Sequence, residues 1–301
     1  MIRDLFRLDE NESEGEILFY KLFEGFVAIN AVRLAWTWAF YIERIQENVH
    51  PLGLARYIDV SVFYNSPLAA WNAAAVTVLS VLIVVFPWRW IPWIALVLLH
   101  VQLVARDALG EISHSANFIG MSLLAIALGR SCYNAGTDRR RFIIGTTIFF
   151  VGFGYVSAAM CKLVGTGFSW ADGRHLWMWM SEKGADILSR DGAFEMNVLQ
   201  RLARGSYGIS TAILAVGLIS ESLGFLLWFR RTRTIIAAVL IGMHTGISLT
   251  MNIRFDIFIY ELLLIGFPWA GVFDRWLPRL SESFRKPLLH AAGHRPSAKS
   301  S

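Results

Sequence analysis

Eight stretches of this 301-residue chain are apolar over roughly 17 to 25 residues, the length a helix needs to cross a hydrocarbon core of about 30 Å. They cover residues 24–42, 68–88, 91–108, 112–132, 142–164, 207–229, 234–251 and 254–274. Inside lipid a backbone must satisfy its own hydrogen bonds, so runs of this length fold as helices. The expected fold class is therefore all-α, a polytopic integral membrane bundle of about eight transmembrane helices. Composition agrees, because 55% of the residues are hydrophobic and only 17% are charged, outside the range of a soluble domain this size. Tryptophans gather at the ends of apolar runs, in "FPWRWIPW" (86–93) and "HLWMWM" (175–180), where amphipathic rings suit the headgroup level.

The connections between runs set the orientation. One set carries 17 Lys and Arg and the other 9, with Arg33 and Lys162 left inside spans. By the positive-inside rule both termini are expected in the cytoplasm, and the longest connection, 165–206, faces a periplasm or the extracellular space. "DRRR" (138–141) and "RRTR" (230–233) read as topology anchors, and Arg130 is counted with the charges of the 130–141 loop. The net charge of +5 has the same origin, so no nucleic-acid partner is expected. The N-terminus lacks the basic, apolar and small-residue pattern of a cleaved signal, leaving insertion to the first span. Cys132 and Cys161 fall near opposite ends of neighbouring helices, which argues against a disulfide.

Charged groups in hydrocarbon are costly, so each one inside a span is a functional candidate. His114 lies in the first turn of the fourth run and Lys162 in the last turn of the fifth, at one level near the outer surface. A lysine at a helix end can simply snorkel to water. Held in apolar surroundings, however, its charged form is disfavoured and it gains the character of a general base. Tyr155, seven residues earlier, shares a face with Lys162, either packing its ring or orienting a quinone-like or carbonyl ligand. His244, Asn252 and Asp256 form a second polar group. Arg33 and Glu221 match in depth and are opposite in sign, predicting an ion pair within the membrane. His100 reads as a hydrogen-bonded packing residue. No Walker loop, dinucleotide fingerprint, HExxH or GxSxG occurs, and no metal site is expected.

Three segments, "EISHSANFIGMSLL" (111–124), "FGYVSAAMCKLVGTGFSWADGRHL" (153–176) and "GMHTGISLTMNIRFDIFIYELLL" (242–264), taken in order resemble the membrane domain of vitamin K-dependent gamma-carboxylase and its bacterial relatives, the horizontally transferred transmembrane (HTTM) domain proteins. The most specific element is a tyrosine, six residues, lysine–leucine, a short gap and W-x-x-G. The resemblance implies a membrane domain over 1–275, with 165–206 as its outward loop, and a cytoplasmic tail over 276–301. It implies that Lys162 is the base that deprotonates a vitamin K-type quinol such as menaquinol. In the carboxylase, oxygen addition then yields an alkoxide that abstracts a glutamate γ-proton before carbon dioxide is captured. His114 would serve that carboxylation half, while Tyr155, Trp170 and His244 would line the quinol pocket.

Ser113 and Cys161 depart from the carboxylase pattern, and no large lumenal substrate domain follows the last span. That points away from carboxylation of a tagged protein and toward the quinol-handling half acting on another substrate. The expectation is a quinol-dependent, carboxylase-like or oxygenase-like protein of a bacterial inner membrane. The alternative is a non-enzymatic HTTM membrane factor in export or maturation of a secreted peptide or protein. In that case 165–206 would be the contact surface, and otherwise a lid over the pocket.

Overall fold

The computed structural model describes residues 1–7, 11–47, 53–108, 115–280 and 282, apart from the side chains of residues 53, 115 and 116. Among these residues the regular structure is helical and there is no strand. The α-helices are α1 (Ile2–Phe6), α2 (Glu14–Ile42), α3 (Leu68–Val85), α4 (Ile91–Asp107), α5 (Ser115–Cys132) and α6 (Thr137–Thr166), followed by α7 (Gly173–Asp191), α8 (Val198–Gly205), α9 (Tyr207–Ser222), α10 (Arg230–Met251), α11 (Asp256–Gly266) and α12 (Trp269–Trp276). The expected tail, 276–301, falls mostly outside the described residues, as does the start of the fourth apolar run.

Each of the eight apolar runs lies largely on helix, yet they are not equivalent. Four helical stretches are long and apolar enough to cross a membrane, Leu68–Val85, Thr137–Ala171, Tyr207–Trp228 and Arg230–Met251. A fifth is added if α11 and its continuation after the break at Phe267 and Pro268 count as one span. The remaining three fall short for separate reasons. Helix α2 carries charges through most of its length, from Glu14 to Arg33. Helix α4 has 17 residues, and the apolar part of α5, Asn117–Cys132, is shorter still. In three of the four qualifying helices only a third of the apolar window is buried. Val78, Val81 and Val85 on α3 and Val216 and Ile219 on α9 face outward. Apolar surface on all sides of a helix suits a lipid surround.

The chain divides into two compact units, residues 148–267 and residues 6–147 with the chain from Pro268. In the second, α2 packs against α3, α4, α5 and α12. Ser13 opens α2 with a reciprocal capping box to Glu16, satisfying two end amides. Gly15 admits α12, since a Cβ there would sit 2.1 Å from the Ala270 carbonyl oxygen. The centre of this unit is ionic. Arg130 pairs with Glu24 at 2.9 Å, each side chain 2% exposed. Arg130 also donates to the Phe86 and Ile83 carbonyls, and Glu24 accepts from Tyr20 and Lys21. Arg130 is thus a buried clamp and no loop anchor. Arg140 and Arg141, also read from sequence as anchors, are ion-paired with Glu12 and Glu16.

Removing one partner of such a pair strands the other charge. Arg130→Met is expected to cost about 3 to 5 kcal/mol, read as a large drop in melting temperature of the detergent-solubilised protein. The double variant Glu24→Gln with Arg130→Met should recover part of that loss, and strict additivity would show that the pair does not act as a unit.

Candidate acid–base site

In the 148–267 unit, α6 and the 3-10 continuation of α9 touch through glycine. A Cβ on Gly224, in the 3-10 turn (Leu223–Trp228) that continues α9, would lie 2.5 Å from the Tyr155 Cβ and 3.1 Å from the Gly152 carbonyl oxygen. A Cβ on Gly152 would meet the Trp228 indole at 2.5 Å. That indole donates to the Phe149 carbonyl at 3.2 Å. With backbones this close, the register between the two helices is fixed.

The register brings two charges together. Helical side chains tilt toward the helix N-terminus, so the long stem of Lys162 runs back along α6 toward Tyr155 and Gly224. Glu221 sits one turn before Gly224, and the Lys162 ammonium meets both of its carboxylate oxygens. The Lys162 side chain is 26% exposed and that of Glu221 10%, so the lysine turns inward to a partner and does not snorkel. Glu221 is therefore paired with Lys162 and not with Arg33, which lies exposed on α2. Matching depths along Cα positions misses this, because it ignores the reach of a lysine stem.

The Lys162 ammonium also stands 4.6 Å from the centroid of the Trp170 ring, a cation–π contact. Trp170 arrives there because Gly167, at φ 62°, turns the chain out of α6 into a 3-10 segment, Gly167–Ala171. The His175 ring and the Trp170 carbonyl are hydrogen-bonded at 3.1 Å, while the Trp179 ring lies 5.7 Å from that of Trp170. Three residues on, Gly173 lets α7 start against α9. A Cβ at Gly173 would lie 2.7 Å from the Tyr207 carbonyl oxygen, and its amide donates to Thr211 at 3.1 Å. The W-x-x-G element thus has a local reason: the tryptophan covers the lysine and the glycine docks the next helix.

Most of the long 165–206 connection is helix. Leu176 and Met180 of α7, Ala203 of α8, Leu214 of α9 and Met251 of α10 form one buried cluster, with Trp170 and Trp177 packed against it. Asp172 caps α7 through the Arg174 amide at 2.8 Å. The segment is folded, and its first turn supplies Trp170 to Lys162.

Tyr155 and His244 complete the site. The phenol oxygen and the imidazole Nε2 are 2.6 Å apart, and His244 is buried, 4% exposed. Phe255 and Phe258 lie against the imidazole, with ring centroids 4.9 Å and 5.2 Å away. Asn252 makes the turn that brings them there, ending α10 in the left-handed conformation at φ 55°. The Nδ1 of His244 has no hydrogen-bond partner among the described residues. His244 lies within electrostatic reach of Lys162, and Tyr155 within that of Glu221 and Glu261.

Four of the residues expected from sequence, Tyr155, Lys162, Trp170 and His244, therefore gather in one unit. His114 lies outside the described residues. Asp256 opens α11 and is half-buried, and Asn252 serves as a helix cap. His100 is exposed on α4, where it is no packing residue. Glu221 as the lysine's partner and the buried Glu261 of α11 are the members the sequence reading misses. The chain matches no protein-family model, no curated protein and no solved structure.

Two outcomes test this arrangement. Gly224→Val should force α6 and α9 apart and cost about 1 to 3 kcal/mol, and Lys162 should become more reactive toward amine-directed reagents as its pair opens. Asp172 is held at about 2, below the usual 3.8, by its hydrogen bonds from Arg174. Its folded value is depressed, so the capping contribution is complete above the ordinary carboxyl value and is lost as pH falls toward about 2. The Arg174 amide resonance should report that midpoint, and a midpoint near 3.8 would refute the cap.

Proposed function

We propose that the 148–267 unit binds a lipophilic quinol of the vitamin K type, such as menaquinol, and takes a proton from its hydroxyl. The observation that carries this reading is the Lys162–Glu221 pair beneath Trp170, beside the hydrogen-bonded Tyr155 and His244. The donor set fits such a molecule. Trp170, Phe255 and Phe258 offer ring faces, and the Nδ1 of His244 offers a buried polar atom with its bonding capacity unused. A quinol bound there would supply a weakly acidic hydroxyl and a redox-active ring.

The chain's own groups divide the proton work. A lysine ammonium has no lone pair, so in the ion-paired form the acceptor is the Glu221 carboxylate. If the proton first passes from Lys162 to Glu221, the amine becomes the acceptor, as the carboxylase resemblance implies. Either route ends with an ammonium and a carboxylic acid, one positive charge that balances the anion produced. Trp170 shields that charge from water, which strengthens its hold on the anion.

The same reading places the chain in the carboxylase-like HTTM group, as an eight-span protein of a bacterial inner membrane with cytoplasmic termini and the site on the periplasmic or extracellular side. Its support is the order of the three motifs, the charge bias of the connections and the helical character of all eight apolar runs. His114 is assigned to the same pocket on the resemblance alone. A second reading, a non-enzymatic factor for export or maturation of a secreted peptide, draws on α7, whose Met178 and Leu188 are exposed on a folded surface.

The test is mass spectrometry of lipids extracted from the purified protein, with menaquinol-dependent oxygen consumption measured in parallel. Wild type should retain quinol, and Lys162→Ala and Glu221→Gln should each lower turnover by about a hundredfold or more. The uncharged double variant Lys162→Met with Glu221→Leu should fold and remain inactive. Full turnover by Lys162→Ala would remove the lysine from the chemistry. A peptide retained without any quinol would favour the second reading.

A further inference from the structure

A shallow groove of about 360 Å³ runs between α8 and the start of α9, lined by Val198, Arg201, Leu202, Gly205, Ser206 and Ile209. We infer that this groove holds an anionic phospholipid, with one acyl chain along the apolar wall and the phosphate against Arg201 and Arg204. The inference is independent of the quinol reading, since neither arginine belongs to the acid–base site.

The groove's position comes first. Helix α9 with its 3-10 continuation is span-grade from Tyr207 onward, so α8, ending two residues earlier at Gly205, lies where that span leaves the hydrocarbon. Tyr207 is 48% exposed, and a phenol ring suits the headgroup level. The apolar wall runs from Val198 and Leu202 through Ile209 into the outward face of α9 at Val216 and Ile219, so a chain lying in the groove continues into the surrounding lipid.

The second observation is charge. Five Lys and Arg residues occur in 165–206. Arg174 is paired with Asp172, Lys183 with Glu182 and Asp186, and Arg190 with Asp191. Arg201 and Arg204 have no carboxylate partner among the described residues. Arg201 donates to the Met196 carbonyl and Arg204 to the Met196 sulfur. At spacing i, i+3 the two guanidiniums project from one side of α8. Both keep donors free for a phosphate, which planar guanidinium groups bind in a bidentate fashion.

The third is rigidity. The opposite side of α8 is tied down, with Gln200 donating to the Thr250 carbonyl at 3.0 Å and the Ala203 carbonyl accepting from Trp177 at 3.0 Å and Ser210 at 2.6 Å. A helix so short would not persist alone, and here its buried side is fixed while its groove side remains open. Paired apolar and cationic surfaces at a membrane boundary match an anionic lipid better than a zwitterionic one, because only the former leaves net charge to meet the arginines.

Native mass spectrometry of the full-length protein, equilibrated with an equal mixture of phosphatidylglycerol and phosphatidylcholine in nonionic detergent, tests the inference. Wild type should retain phosphatidylglycerol preferentially. The double variant Arg201→Gln with Arg204→Gln should lower that preference on the order of tenfold while leaving phosphatidylcholine binding and oxygen consumption unchanged. A Cβ on Gly205 meets nothing within 4 Å, so Gly205→Phe places its ring from open space beside the groove and should lower retention of both lipids. Equal retention of the two lipids by wild type, an unchanged preference in the double variant, or a peptide occupying the groove in place of lipid would each overturn it.

Discussion

A charge removed from water has to be matched, and each of the two units is organised around one such match. In the 6–147 unit the match is dense: Arg130 donates through its two terminal nitrogens to Glu24 and two backbone carbonyls, and Glu24 accepts from Arg130, Tyr20 and Lys21. A pair bonded on so many sides holds α2, the end of α3 and α5 in place. In the 148–267 unit the match is sparse. The Lys162 ammonium has one carboxylate and one ring face, and the lysine side chain is 26% exposed. The first arrangement suits architecture and the second is the one to which we assign proton exchange, a contrast drawn from counting bonds to each charge.

Backbone contact makes the open pair reproducible. Gly152 and Gly224 let α6 and the end of α9 approach until each carbonyl oxygen lies 3.0 to 3.1 Å from where the other residue's Cβ would be. Small residues at helix contacts are the usual means of close approach where lipid supplies no hydrophobic drive. The same device recurs at Gly173 against Tyr207 and at Gly266 against Ala237, where a Cβ would fall 2.2 Å from its neighbour. Position in this unit is set by what these glycines lack, and the ionisable groups then meet by reach of their side chains.

Hydropathy alone makes the helical class and the location of the apolar runs legible, since lipid-length helices leave a strong periodic and compositional record. It is less informative about which helices are uninterrupted. Pro268 breaks the eighth run, and the charges of α2 serve an internal clamp that a window of residues cannot distinguish from solvent exposure. Tyr155, Lys162 and His244 stand out because polar residues are expensive inside apolar runs, whereas Trp170 enters only through the resemblance. Glu221 was visible as a buried charge, but its partner was not, because depth matching treats a side chain as a point at Cα. Arg130 was counted with a loop for a similar reason: one turn of helix separates a headgroup anchor from a core residue.

The imidazole of His244 lies against Phe255 and Phe258 and, among the described residues, is hydrogen-bonded through Nε2 to Tyr155 and through Nδ1 to none. Its two neutral tautomers are not equivalent in such a box. If Tyr155 donates to Nε2, the ring hydrogen sits on Nδ1 with nothing to receive it. If the hydrogen sits on Nε2, Nδ1 presents a lone pair with nothing to donate to it. Either form leaves one nitrogen dissatisfied, so a molecule arriving with a donor or an acceptor decides, by its own polarity, which way the tyrosine hydroxyl points.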